Sequence, residues 1–138
     1  MRKLEEDVVL PFRFGWGRRD FTADMTPSPV ACRLTDADQA RRQVSLQEEV
    51  FPGIREVVRL DDGFALRFPG GPQWLDRLVR LIAFERECCP FLLLELRAEP
   101  EGGPIWLRMR GPEGTVEFLT GVLRGCGVPV PASPAENG

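Results

Sequence analysis

Apolar residues recur along this chain with two different periods, and the changes of period mark its elements. Val8, Leu10, Phe12 and Phe14 alternate as in a strand, but Pro11 inside the run confines any such strand to a sheet edge. The Gly15-Trp16-Gly17 run and the prolines at 27 and 29 then predict an irregular arm, so residues 1–29 read as an N-terminal extension. From Val30 the alternation returns. Val30, Cys32 and Leu34 share one side against Ala31 and Arg33, which predicts a half-buried strand with Cys32 pointing inward.

Thr35 followed by Asp38 resembles a capping box with an acid in place of the usual Glu or Gln, and predicts a helix through about Glu49, closed by Pro52-Gly53. Residues 54–60 and 64–68 predict two strands, and the Asp62-Gly63 pair between them is a hairpin signal. The period then lengthens. Trp74, Leu75, Leu78, Leu81 and Ile82 form one helical stripe in a helix predicted from Gln73 to Cys89, with Pro90 ending it. Residues 91–98 and 105–110 predict a second hairpin around Gly102-Gly103. A last helix over 112–123 presents Val116, Leu119, Val122 and Leu123 inward.

The predicted order is β-α-β-β-α-β-β-α. It implies an α+β two-layer sandwich, an antiparallel sheet with helices on one face, and a ferredoxin-like arrangement as the leading topology. Residues 30–125 form the domain. Residues 126–138 read as a flexible C-terminal tail, because VPVPASPAENG has too few core residues to offset the entropy of its ordering.

Composition changes this picture mainly by exclusion. A net charge of -3 and a pI near 5.1, with basic residues interleaved among acids, argue against a nucleic-acid surface. An aromatic and basic nucleic-acid contact within the arm is the weaker reading there, given Asp20 and Asp24; an arm packed over the domain, or a homodimer contact, is preferred. No apolar run approaches the roughly 18 residues that a membrane span needs, and the acidic N-terminus does not resemble a signal peptide. The expectation is a cytoplasmic protein whose four cysteines are reduced thiols. The chain has no histidine and no tyrosine, which excludes Ser-His-Asp and Cys-His catalysis and any zinc site needing imidazole. No phosphate-cradling Gly-rich loop is present, so a nucleotide cofactor is not expected.

The chemistry concentrates at Cys88-Cys89. Steps of three and four carry the apolar stripe to Glu85, Cys88 and Cys89, placing Glu85 on the buried side, whereas Glu87 continues the charged face through Ala83, Arg80 and Asp76. Adjacent helical residues project about 100 degrees apart, so a chelating pair needs the relaxed backbone of a helix end. Pro90 provides one. An inward Cys32 would bring a third thiol to that end, and three thiolates suit Cu(I), Hg(II) or the metalloid As(III). A helix C-terminus and a buried Glu85 both disfavour thiolates, Arg86 offsets part of this, and the expected resting state is protonated. Glu85 would then accept a thiol proton or orient a cysteine. Inert packing stands beside this reading, since free cysteine usually behaves as a small buried hydrophobe. A Cys88–Cys89 disulfide is disfavoured by its strained eight-membered ring. Cys126, between two glycines, reads as an incidental exposed thiol.

The segments ALRFPG at 65–70, IAFERECCPFLLLEL at 82–96 and PIWLRMRGPEGTVEFL at 104–119 resemble a family of small bacterial domains with a Glu-Arg-x-Cys-Cys-Pro-Phe signature. Such domains occur alone or joined to regulators of the MerR heavy-metal class, and some accompany mercury resistance. The resemblance spans about residues 30–123 and carries Glu85, Arg86, Cys88, Cys89 and, less specifically, Cys32; the arm and Cys126 fall outside it. It implies a soft-metal or metalloid thiolate-binding protein in heavy-metal handling, with Cys32, Cys88 and Cys89 as ligands and Glu85 and Arg86 around them. Two alternatives stay open at this point: an organomercurial-cleaving or other thiol enzyme, and a non-catalytic interaction or sensor module with structural cysteines.

Overall fold

The computed structural model describes residues 29–132; the N-terminal arm up to residue 28 and the last six residues lie outside the described part. Within it the chain runs through helix α1 (Asp36–Ser45), strands β1 (Glu56–Leu60) and β2 (Gly63–Phe68), helix α2 (Pro72–Cys88), strands β3 (Leu93–Ala98) and β4 (Ile105–Arg110), and helix α3 (Thr115–Gly125). The architecture is α+β, with four antiparallel strands in the order β1-β2-β4-β3.

Two hairpins meet at β2 and β4. The register sets Phe64 opposite Met109, Leu66 opposite Leu107 and Phe68 opposite Ile105. It extends outward to Val57 on β1 and to Leu94 and Leu96 on β3. Because side chains alternate along a strand, these residues all lie on one face of the sheet. Leu78 of α2 and Leu119 and Leu123 of α3 pack into the same cluster, so the helices cover that face. The Asp62-Gly63 turn follows the sequence reading, and Gly63 is required there: a Cβ would collide with the Met109 carbonyl across the ladder.

Residues 30–34, predicted as the first strand, are not a strand. The observed order is α-β-β-α-β-β-α, and the ferredoxin-like order with an early central strand is not the one seen. The sheet's two central positions are taken by β2 and β4, which leaves no central place for a strand from this segment. The alternation of Val30, Cys32 and Leu34 is used differently: these side chains cover a second, small cluster formed by Cys88, Cys89 and Phe91.

Thr35 caps α1 as predicted, its hydroxyl accepting from the Asp38 N–H at 3.2 Å. Beyond Ser45 the helix widens into a π turn over Leu46–Val50, then tightens into a 3-10 turn over Phe51–Gly53. Leu46, Val50 and Phe51 are buried there. After α3, Val128 and Val130 pack against the core and the Ala132 carbonyl accepts from Arg59 at 2.9 Å, so the first part of the segment read as a tail lies along the domain. No helix among the described residues is long and apolar enough to cross a membrane.

Candidate metal centre

Helix α2 ends at Cys88. Cys89 leaves helical geometry, with φ -129° and ψ 72°, while its N–H still donates to the Glu85 carbonyl at 2.8 Å. Proline at 90 disfavours the helical region for the preceding residue, and the departure at Cys89 lets two adjacent side chains turn toward each other. Their sulfurs stand 3.6 Å apart.

The last carbonyls of a helix lack intrahelical partners. One of them, on Cys88, accepts from the Arg33 N–H at 3.0 Å, which docks the 30–34 segment against the helix end. This bond does what a strand ladder was expected to do. It places Cys32 Sγ 3.0 Å from Cys88 Sγ. All three sulfurs, of Cys32, Cys88 and Cys89, lie within 4.8 Å of one another. Three sulfurs arranged in a plane around one ion, each at about 2.3 Å, would stand about 4 Å apart. Two of the observed separations, 3.0 and 3.6 Å, are somewhat shorter and none exceeds 4.8 Å, so the three cysteines have a spacing that can hold a metal ion.

The surroundings of Cys88 and Cys89 are buried and carry one ion pair. Cys88 and Cys89 are 1% and 0% exposed, and Phe91 covers them with its ring edge-on to Phe118, centroids 5.2 Å apart. Glu85, 3% exposed, receives two hydrogen bonds of 2.9 Å from Arg42, one to each carboxylate oxygen. Such a fork fixes both partners geometrically. Glu85 is therefore buried, as its place on the apolar stripe predicted, but its carboxylate is held by Arg42 rather than directed at a thiol.

Arg86, read from the sequence as the cation beside the thiols, is exposed, and among the described residues it makes no ion pair. It sits one position round the helix from Glu85 and so points away from the buried side. Arg42 takes its place. The sequence carried a signal for this: Arg42, Leu46 and Val50 are spaced by four, so Arg42 lies in line with two residues that are buried.

The electrostatics keep the two buried thiols, Cys88 and Cys89, protonated. Burial, the hydrogen bond that the Cys88 thiol shares with Cys32 and the Glu85 charge push Cys88 up to about 12, partly opposed by Cys89 and Arg42. Cys89 is also raised, first by burial and then by Glu85 and Cys88. Arg42 feels burial against its charge, yet Glu85 outweighs this and its pKa rises.

Cys32 opens onto a cleft of about 450 Å³, lined also by Gln39, Arg42, Phe118 and Cys126, among others. Cys126, read as an incidental exposed thiol, is instead half-buried on this wall and packed against the core, outside the three-sulfur group. The larger groove, about 790 Å³ between α1 and α2, contains Arg41, Arg77, Arg80 and Phe84 but no sulfur, and borders the centre through Leu34 and Arg42.

Comparison with protein-family models, with curated proteins and with solved structures finds no match to this chain.

Proposed function

We propose that the protein binds a thiophilic ion or metalloid, Hg(II), Cu(I) or As(III), through Cys32, Cys88 and Cys89, and that it serves in heavy-metal handling. The observation that carries this reading is the three-sulfur spacing within 4.8 Å in a pocket without histidine ligands. Soft thiolates select soft ions, and three of them favour a trigonal ion over one that demands four donors. The resemblance of the Glu85-to-Phe91 segment to domains that accompany heavy-metal regulators supports the physiological setting.

The chemistry of loading follows from the resting state. Neutral thiols can be buried without a counter-ion, which suits Cys88 and Cys89, buried beside an ion pair already neutral overall. An arriving ion displaces the protons, so binding releases acid and strengthens with pH. Cys32, half-buried on the cleft wall, meets the ion first; Cys88 and Cys89 complete the set. Arg42 contributes a positive charge near the thiolates that form, and Glu85 holds Arg42 in place. An enzyme that cleaves a carbon-metal bond would call on Glu85 as its acid, and both oxygens of Glu85 are engaged by Arg42.

Titration of the metal-free chain with Hg(II), followed by thiolate charge-transfer absorption and intact mass, tests the reading. One ion per chain is expected, with binding lost in Cys88→Ser plus Cys89→Ser. Unchanged stoichiometric binding in that double variant overturns it.

A further inference from the structure

We infer that the same cluster is an oxidation site, at which a hydroperoxide closes a Cys32–Cys88 disulfide and thereby takes two of three sulfurs away from a bound ion. The disulfide stands on geometry alone; the control of ion binding rests on the function proposed above.

The distance between Cys32 Sγ and Cys88 Sγ is 3.0 Å. A disulfide needs about 2.05 Å, so closure takes a movement of about 1 Å. The segment that carries Cys32 is suited to such a shift. Residues 30–34 lie outside the sheet, so Cys32 approaches without breaking a strand ladder, while the Arg33 N–H bond to the Cys88 carbonyl keeps the pair in register. Cys88 and Cys89 are farther apart, at 3.6 Å, and joining them would close the strained ring of a vicinal disulfide.

Unequal access sets the order of events. Cys32 is half-buried and lines the cleft, whereas Cys88 and Cys89 are buried, so of the three clustered thiols Cys32 is the one that an oxidant reaches. Its sulfur attacks the peroxide O–O bond and takes one oxygen as sulfenic acid; the other oxygen leaves as water with the thiol proton. The Cys88 sulfur then attacks Cys32, the S–O bond breaks, and hydroxide departs as water with the Cys88 proton. Two thiols and one hydrogen peroxide give one disulfide and two waters, the two electrons passing from sulfur to peroxide. A bound ion occupies the same sulfur lone pairs, so loading protects the thiols from oxidation, and oxidation prevents loading.

The test is to treat the full metal-free chain with hydrogen peroxide, map disulfides by non-reducing digestion and mass spectrometry, and titrate oxidised and reduced samples with Hg(II). The expected product links the Cys32 peptide to the peptide containing Cys88. It persists in Cys89→Ser, is absent in Cys32→Ser and in Cys88→Ser, and reverses with dithiothreitol. The oxidised chain loses its stoichiometric Hg(II) binding and regains it after reduction and removal of the reductant. A bond to Cys126, a Cys88–Cys89 bond or sulfinic acid accumulating on Cys32 overturns the inference. Hg(II) binding by the reduced chain without the Cys32–Cys88 link overturns this inference alone. Conversely, the link without Hg(II) binding by the reduced chain overturns the metal reading and the control built on it, and leaves the disulfide.

Discussion

In the main core, Phe64, Leu66 and Phe68 stand opposite Met109, Leu107 and Ile105 in a hydrogen-bonded ladder, and two helices close over them. In the small cluster, Cys88, Cys89 and Phe91 are covered by Val30, Cys32 and Leu34 on an irregular segment, docked to the helix end by the Arg33–Cys88 backbone bond. The first region is stabilised by area buried from water, which is non-directional and tolerant of exchange among similar apolar residues. The second contains thiols and lies beside a buried ion pair, whose worth depends on every partner being present. The difference separates what holds the protein together from what gives it chemistry, and each region has its own ways to be broken.

The largest effect should come from the ion pair. Arg42→Ala leaves the Glu85 carboxylate buried without a partner, and is expected to cost about 3–5 kcal/mol in chemical denaturation. Replacing both, as Arg42→Met with Glu85→Leu, should recover most of that loss, because an apolar pair leaves no stranded charge. If the double variant is as unstable as the single one, the pair is not acting through its charge.

Leu107→Ala attacks the other region. It empties a fully buried site in the ladder and should cost about 2–5 kcal/mol. Stoichiometric Hg(II) binding by the folded variant should be unchanged, since Leu107 belongs to the main cluster and not to the sulfur one. Loss of binding in that variant would show that the two regions are one cooperative unit.

Alkaline pH separates the regions without a mutation. Cys88 is held up to about 12 in the folded chain and returns toward the ordinary 9.0 on unfolding, and Cys89 is raised as well. Between these values the unfolded chain has released protons that the folded chain retains, so stability falls as pH rises above about 9. Below that pH the contribution is fully present. Each thiol should remove about 1.4 kcal/mol per pH unit in this window. Cys88→Ala should flatten the slope, and so should a bound ion, which has already displaced the protons. An alkaline limb identical in apo and loaded protein would count against thiols as the titrating groups.

The smallest effect belongs to the join between the regions. Thr35→Ala removes the cap of α1 next to the segment bearing Cys32, and should cost about 1 kcal/mol. Faster amide hydrogen exchange at residues 33–39 is the matching local readout.

Much of this arrangement was legible in the residues. Alternation with the Asp62-Gly63 and Gly102-Gly103 turns marks the two hairpins, the helical stripe marks α2, and spacing alone puts Glu85 on its buried side. The failure at residues 30–34 is instructive. Three alternating residues satisfy a strand pattern, but a pattern states which side is covered, not what covers it, and here the cover is a helix end rather than a neighbouring strand. The identity of the buried cation was missed for a related reason. Nearness in sequence favoured Arg86, whereas spacing by four with Leu46 and Val50 places Arg42 on a buried line. Two opposite charges, each lodged in an apolar stripe on a different helix, are better partners than two neighbours on one helix, because each needs the other to be buried.

X-ray absorption fine structure of the Hg(II)-loaded chain asks most directly whether the two parts of the fold share one ion. Three sulfurs in the first coordination shell are expected for the native chain, falling to two in Cys32→Ser. A native shell of two sulfurs that Cys32→Ser leaves unchanged, or a shell of oxygen and nitrogen donors, would contradict a centre built from the docked segment and the end of α2.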